Sequence, residues 1–218
     1  MKPTQKEKYQ IAWFKLSEFI HRHEKERALG IYKLLMHTID DPAFAKQLEG
    51  DLLLFFEKPE ALDKYVEAAE LYKKQNKLPQ ATAIYEHLVM LAPENSQFIS
   101  HLSHVYEQLN HPTRLFFSLE RLIEPIVSAH NEKALQKLFE HVMPLLPLED
   151  QATLYKKTVT TLITIDRHNA ESILMFIQGA LESLEKSPSL LKNFINDLGK
   201  LDKDYQQEAL TLTKKTMS

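Results

Sequence analysis

The chain has 218 residues, 44% apolar and 26% charged, which is enough to bury a continuous core and too apolar for a disordered chain. Its formal net charge is -3, so no overall field draws it to nucleic acid or acidic membranes. Cysteine is absent, which removes disulfides, thiolate metal sites and cysteine nucleophiles, and the 4 glycines are too few for the turns of a β-rich fold.

The first ten residues, MKPTQKEKYQ, lack the apolar core of a secretory signal, and no stretch approaches the ~18 apolar residues of a membrane span. The expected location is therefore the cytoplasm. Pro42, Pro59, Pro79, Pro93 and Pro112 recur along the first half. Proline is tolerated in a helix's first turn and breaks its interior, so these positions mark boundaries between helices of about four turns. Asp41-Pro42 and His111-Pro112 read as cap-plus-first-turn pairs.

The first predicted helix spans about 6–23, with Tyr9, Ala12, Trp13, Leu16, Phe19 and Ile20 at helical spacing. Trp13 is expected to anchor the terminal packing layer. A second helix covers 24–39. A third, 42–56, ends in the run Leu52 to Phe56, which predicts burial on several sides. Helices follow at about 60–75, 78–91, 95–109 and 113–128, where Pro125 should kink or end the last. After a helix at 131–143, Pro144-Leu145-Leu146-Pro147 must be a break. Residues 150–165 are rich in β-branched side chains, but a lone strand would have nothing to pair with, so this segment reads as helix. Helices at 168–186, 188–199 and 202–216 close the chain, with Gly199 as the expected stop of the second.

About eleven helices joined by short links predict antiparallel neighbours that stack, because no single hairpin buries its apolar face alone. The fold class is all-α, an α-solenoid without sheet. The whole of 1–218 reads as a single helical-repeat domain. Its N-terminal helices are 1–58, its clearest repeats 60–128, and its degenerate repeats and C-terminal capping helices 131–218.

Within this array Tyr65, Ala68, Ala69, Tyr72, Ala81, Tyr85, Leu88 and Pro93 follow a distinctive order. Small residues alternate with aromatics over two helices, so that the paired helices approach closely and the tyrosines fill the wedges. This stretch resembles the tetratricopeptide repeat, a helical hairpin of about 34 residues. Ile99, Leu102, Ser103, Tyr106, Leu115, Leu119 and Leu122 keep part of the pattern in the next unit. Ala61, Tyr65 and Ala68 also fit the second-helix pattern, which leaves the opposite parity open.

The resemblance implies that first helices line a concave binding face. In the register chosen, Glu70, Lys73, Lys74, His104, Glu107 and Gln108 point into that groove. One version of the fold clamps a C-terminal carboxylate with a lysine and two asparagines. Val66, Glu70 and His101 stand at those positions here, so the resemblance does not extend to that clamp.

Signals for chemistry are weak. His101 and His104 are three apart on one predicted helix without a third ligand, and no HExxH, GxGxxG or GxxxxGK[ST] is present. The Lys73-Lys74, Lys156-Lys157 and Lys214-Lys215 pairs read as solvated helix faces. The expectation is a non-enzymatic scaffold or adaptor with no catalytic, cofactor or metal residues. It would bind a protein or peptide partner, not nucleic acid or membrane. A helical enzyme or small-ligand domain with a buried His/carboxylate site is the rival reading. A regulatory module that dimerises through its C-terminal helices is the third.

Overall fold

The computed structural model describes residues 5–36 and 39–216; the side chains of Tyr9 and Lys215 lie outside the described residues. Twelve α-helices form there and no strand: α1 (Gln5–His21), α2 (Lys25–Met36), α3 (Pro42–Phe55), α4 (Glu60–Lys74), α5 (Leu78–Leu91), α6 (Ser96–Leu109), α7 (Pro112–Ser128), α8 (Glu132–Val142), α9 (Leu148–Asp166), α10 (Ala170–Leu184), α11 (Pro188–Leu201) and α12 (Lys203–Thr216). Each of the helical ranges expected from the sequence makes its own helix, even α11 and α12, which only Asp202 separates, so the full count is twelve and not about eleven. The break at Pro144 is a single 3-10 turn, Met143–Leu145. No helix among the described residues is long and apolar enough to cross a membrane.

The prolines act as their geometry dictates. Pro42, Pro112 and Pro188 occupy the first turns of α3, α7 and α11. Asp41 caps α3 by accepting from Ala43 N at 3.0 Å, and His111 Nδ1 accepts from Arg114 N at 3.4 Å. The β-branched segment is helical as expected. Within α9 the hydroxyls of Thr153, Thr158 and Thr164 donate to carbonyls four residues back, which satisfies polar groups that a strand would have had to pair.

A chain with so few glycines still has to reverse direction after each helix. His23, Glu57, Asn76 and His130 take left-handed backbone angles, with φ of 57°, 52°, 57° and 53°. Each sits in a Schellman motif. Glu57 N donates to Leu54 O and Lys58 N to Leu53 O; Asn76 N donates to Lys73 O and Lys77 N to Tyr72 O. Polar residues thus fill the role that glycine usually takes, at some conformational cost.

The chain divides into two compact units, Met1–Leu88 and Val89–Ser218. In the first, α1 packs on α2, α2 on α3 and α3 on α4. Leu16, Ala28, Tyr32, Leu35 and Leu52 form a core with Trp13 packed against it, the terminal anchor anticipated for this tryptophan. At Gly50 the α3 backbone lies against the Tyr65 ring of α4, which an added Cβ would meet at 3.0 Å. In the second unit the pairing runs two apart. There α6 packs on α8, α7 on α9, α8 on α10, α9 on α11 and α10 on α12, alongside sequential pairs such as α9 with α10 and α11 with α12. That alternation is the geometry of a solenoid, in which odd and even helices form separate layers.

Three local expectations need correction. The Leu52–Phe56 run, expected to be buried on several sides, is buried only at Leu52: Leu53, Leu54 and Phe56 are half-buried, and Phe55 is 43% exposed and stacks on His23 with ring centroids 5.1 Å apart. Its solvent side is covered by another ring, not by a further packing layer. Of the two outcomes expected at Pro125, a kink or an end, the end does not occur: α7 continues to Ser128, where Ile126 and Val127 are fully packed and anchor the last turn. Gly199 does not stop α11, which runs to Leu201. The glycine instead leaves room for the Gln206 side-chain amide, which donates to Ile195 O at 3.2 Å.

Candidate functional site

Tyrosines tie the helices of the first unit together. Tyr32 donates to Ala45 O at 2.7 Å, Tyr65 to Asp51 Oδ1 at 2.7 Å, Tyr72 to Gln47 Oε1 at 3.0 Å, and Tyr85 to Glu70 Oε1. Burial pushes the Tyr32 hydroxyl up to about 12, with the Glu49 charge adding to it. Tyr65 and Tyr85 are raised further, first by burial and then by their carboxylate acceptors. These hydroxyls therefore stay protonated and act as fixed donors. Asp41 joins the same frame, holding Lys77 Nζ at 2.6 Å and Gln75 Nε2 at 3.1 Å, and the Lys77 bond holds its carboxyl below the usual range.

Glu70 and Lys73, two residues expected in a groove, belong to this frame. Glu70 accepts from Tyr85 and pairs with Lys73 at 3.0 Å. Lys74 is exposed on the last turn of α4. All three lie in the first unit, whereas His104, Glu107 and Gln108 lie on exposed turns of α6 in the second. Of the six, His104 lines a cleft.

Among the described residues of the second unit, clefts open between even-numbered helices, and two of them concern the residues above and their neighbours. The first lies between α6 and α8, encloses about 240 Å³ and is lined by Ser100, Ser103, His104, Lys133, Lys137 and His141 among others. The second lies between α8 and α10 with α9 behind, and encloses about 910 Å³. Its floor is apolar, with Phe139, Met143, Leu174 and Met175, and its rim carries Glu140, Glu171 and Glu182 with Lys186. Phe139 stands edge-on to Tyr155 and to Phe176, at 5.5 Å in each pair, which fixes the floor. Burial pushes the Tyr155 hydroxyl up to about 12, with Glu182 and Glu140 contributing. Gly179 lets the Tyr155 ring reach this cleft: an added Cβ would stand 3.1 Å from its Cε1. Gln151 is locked in the wall, donating to Leu146 O at 2.8 Å and accepting from Ser183.

One of the lysine pairs that look like clusters in the sequence is tied to other helices. Lys156 pairs with Asp197 at 2.6 Å and Lys157 lies 3.8 Å from Glu120, each linking two helices of the odd-numbered layer. His104 commits Nδ1 to Ser100 O of its own helix at 2.8 Å. Among the described residues no group of three or more His, Asp or Glu is placed to hold a metal ion. Lys133, Lys137 and His141 went unnoticed because they are dispersed four apart, and that i, i+4, i+8 spacing was the signal available.

No family model matches the chain, and no curated protein matches it.

Proposed function

We propose that the chain is a non-enzymatic adaptor of the tetratricopeptide-like kind that receives a segment of a partner protein on the α6–α8–α10 face. The observation that carries this is the larger cleft, an apolar floor of Phe139, Met143, Leu174 and Met175 inside an acidic rim. Peptide-binding grooves need this arrangement: apolar pockets supply affinity and a charged rim orients the ligand. Methionine side chains suit a floor that adapts to its ligand. Two polar groups of the wall, Gln151 and Ser183, are bonded to each other, so the Ser183 hydroxyl is already committed.

This reading takes even-numbered helices as the first helices of their repeats, the parity in which α4 opens the clearest unit. Of the residues that carry the resemblance, Tyr65, Ala68, Ala69, Tyr72, Ala81, Tyr85 and Leu88 are buried and Pro93 is half-buried. A cytoplasmic setting belongs to the same proposal. The test is affinity capture with the wild type and with Glu140→Lys/Glu182→Lys, followed by mass spectrometry. A partner retained by the wild type and lost by a variant of unchanged helicity supports the reading. Equal retention by both proteins overturns it.

A further inference from the structure

We propose that the α6–α8 cleft binds an acidic peptide segment, an assignment that rests on the adaptor reading and specifies the ligand of one of its two clefts. Four basic side chains line it, His104 from α6 and Lys133, Lys137 and His141 from α8, and no carboxylate lines it. The three α8 residues sit at i, i+4 and i+8, so they form one stripe along the cleft. Neither lysine has a carboxylate partner among the described residues, in contrast to Lys46, Lys73, Lys77 and Lys156, which do.

The imidazoles are oriented for a ligand. His104 Nδ1 lies 2.8 Å from Ser100 O and His141 Nδ1 2.7 Å from Lys137 O. A carbonyl only accepts, so each Nδ1 carries the proton, and Nε2 on the far side of the ring is left for another group. The decisive observation is Ser103. It lines the same cleft, it is 5% exposed, and its Oγ has no hydrogen-bond partner among the described residues. A buried hydroxyl without a partner is costly, and an incoming carboxylate oxygen would supply the missing acceptor. Two lysines without partners and one orphaned hydroxyl call for the same chemistry, an anion, and each imidazole adds an Nε2–H donor to it only in its doubly protonated form.

The nearest acids do not contradict this. Glu132 is buried at the start of α8, 3.9 Å from His130, and Glu107 and Glu140 lie outside the lining. Glu140 belongs to the rim of the neighbouring cleft, whose acidic edge would repel the same segment. The two clefts thus select opposite charges on either side of α8, which fixes the direction in which a segment can lie.

The test is fluorescence anisotropy with a labelled dodecapeptide of alternating glutamate and serine, beside its lysine–serine counterpart. The glutamate peptide should bind the wild type more tightly than the lysine peptide does, and more weakly as salt rises. Lys133→Glu/Lys137→Glu should weaken it on the order of tenfold or more. Ser103→Ala should weaken it on the order of fivefold while leaving the unfolding midpoint equal or higher, since an orphaned hydroxyl is removed. A purely structural serine would lower the midpoint and leave the affinity unchanged. Equal binding of the two peptides, or unchanged affinity in the lysine variant, overturns the assignment. If that happens while a captured partner is still lost on Glu140→Lys/Glu182→Lys, the adaptor reading stands without it. If capture also yields no partner sensitive to those substitutions, both fall.

Discussion

Gly30 and Gly50 both lie inside helices of the first unit, yet substitution by alanine should shift stability in opposite directions. In a helix interior, alanine is favoured over glycine by about 1 kcal/mol. At Gly30 an added Cβ meets nothing within 4 Å, so Gly30→Ala should gain nearly all of that. At Gly50 the same atom meets Cδ1 and Cε1 of Tyr65 at 3.0 Å and Cγ at 3.2 Å. The ring has no room to withdraw. Tyr65 is 1% exposed, its hydroxyl is bonded to Asp51, and its ring stands edge-on to His87 at 5.0 Å. Overpacking of this kind costs about 1–3 kcal/mol, so the balance for Gly50→Ala is a net loss of roughly 1 kcal/mol. Urea unfolding followed by circular dichroism at 222 nm reads both variants against the wild type. In a Tyr65→Leu background the Gly50→Ala change should turn favourable, because the obstructing ring is gone. Equal stabilisation by both glycine substitutions, or no coupling to residue 65, would refute the close approach of α3 and α4.

Tyr85→Phe removes a buried hydroxyl that donates to the Glu70 carboxylate, and should cost about 1–2 kcal/mol by the same urea assay. Glu57→Gly relieves a left-handed angle in a Schellman motif and should raise stability by about 1 kcal/mol, whereas Glu57→Val should lower it. Asp202 accepts from Arg167 Nε at 2.6 Å, and that bond holds its carboxyl below the usual carboxylate range. A depressed carboxyl contributes stability above its unfolded value, about 3.9, and that contribution disappears as pH falls through the lower folded value. Thermal melts from pH 7 downward should therefore show Asp202→Asn well below the wild type at neutrality, with the gap closing in acid.

Much of the architecture was legible because it depends on local rules. Proline at the first turn and Asp41 and His111 as caps each have one physical reading, and each is found in the structure; the alanines and tyrosines of 65–88 are buried as their spacing requires. The misreadings share a cause. Pro125, Gly199 and the Leu52–Phe56 run were judged by residue type alone. Their outcomes were set by contacts distant in sequence or by neighbouring packing: the buried Ile126 and Val127, the Gln206 amide, and the His23 ring. The clefts were less legible still. His104 was identified from repeat register, but Lys133, Lys137 and His141 become one stripe only when the chain is wound as a helix. Glu140, Glu171 and Glu182 meet only through the packing of α8 against α10. Ser103 passed for a small packing residue, and nothing in the sequence shows that its hydroxyl is orphaned.

The absence of cysteine allows a direct test of where a partner sits. Single cysteines at Ser100 and Gln178 line the two clefts, and one at Glu124 is exposed on α7 in the other layer. Each can be labelled with a benzophenone maleimide and irradiated with the captured partner. The account predicts cross-links from positions 100 and 178 and none from 124. Cross-linking from 124 alone would place the partner on the odd-numbered layer and contradict the assignment of the binding face.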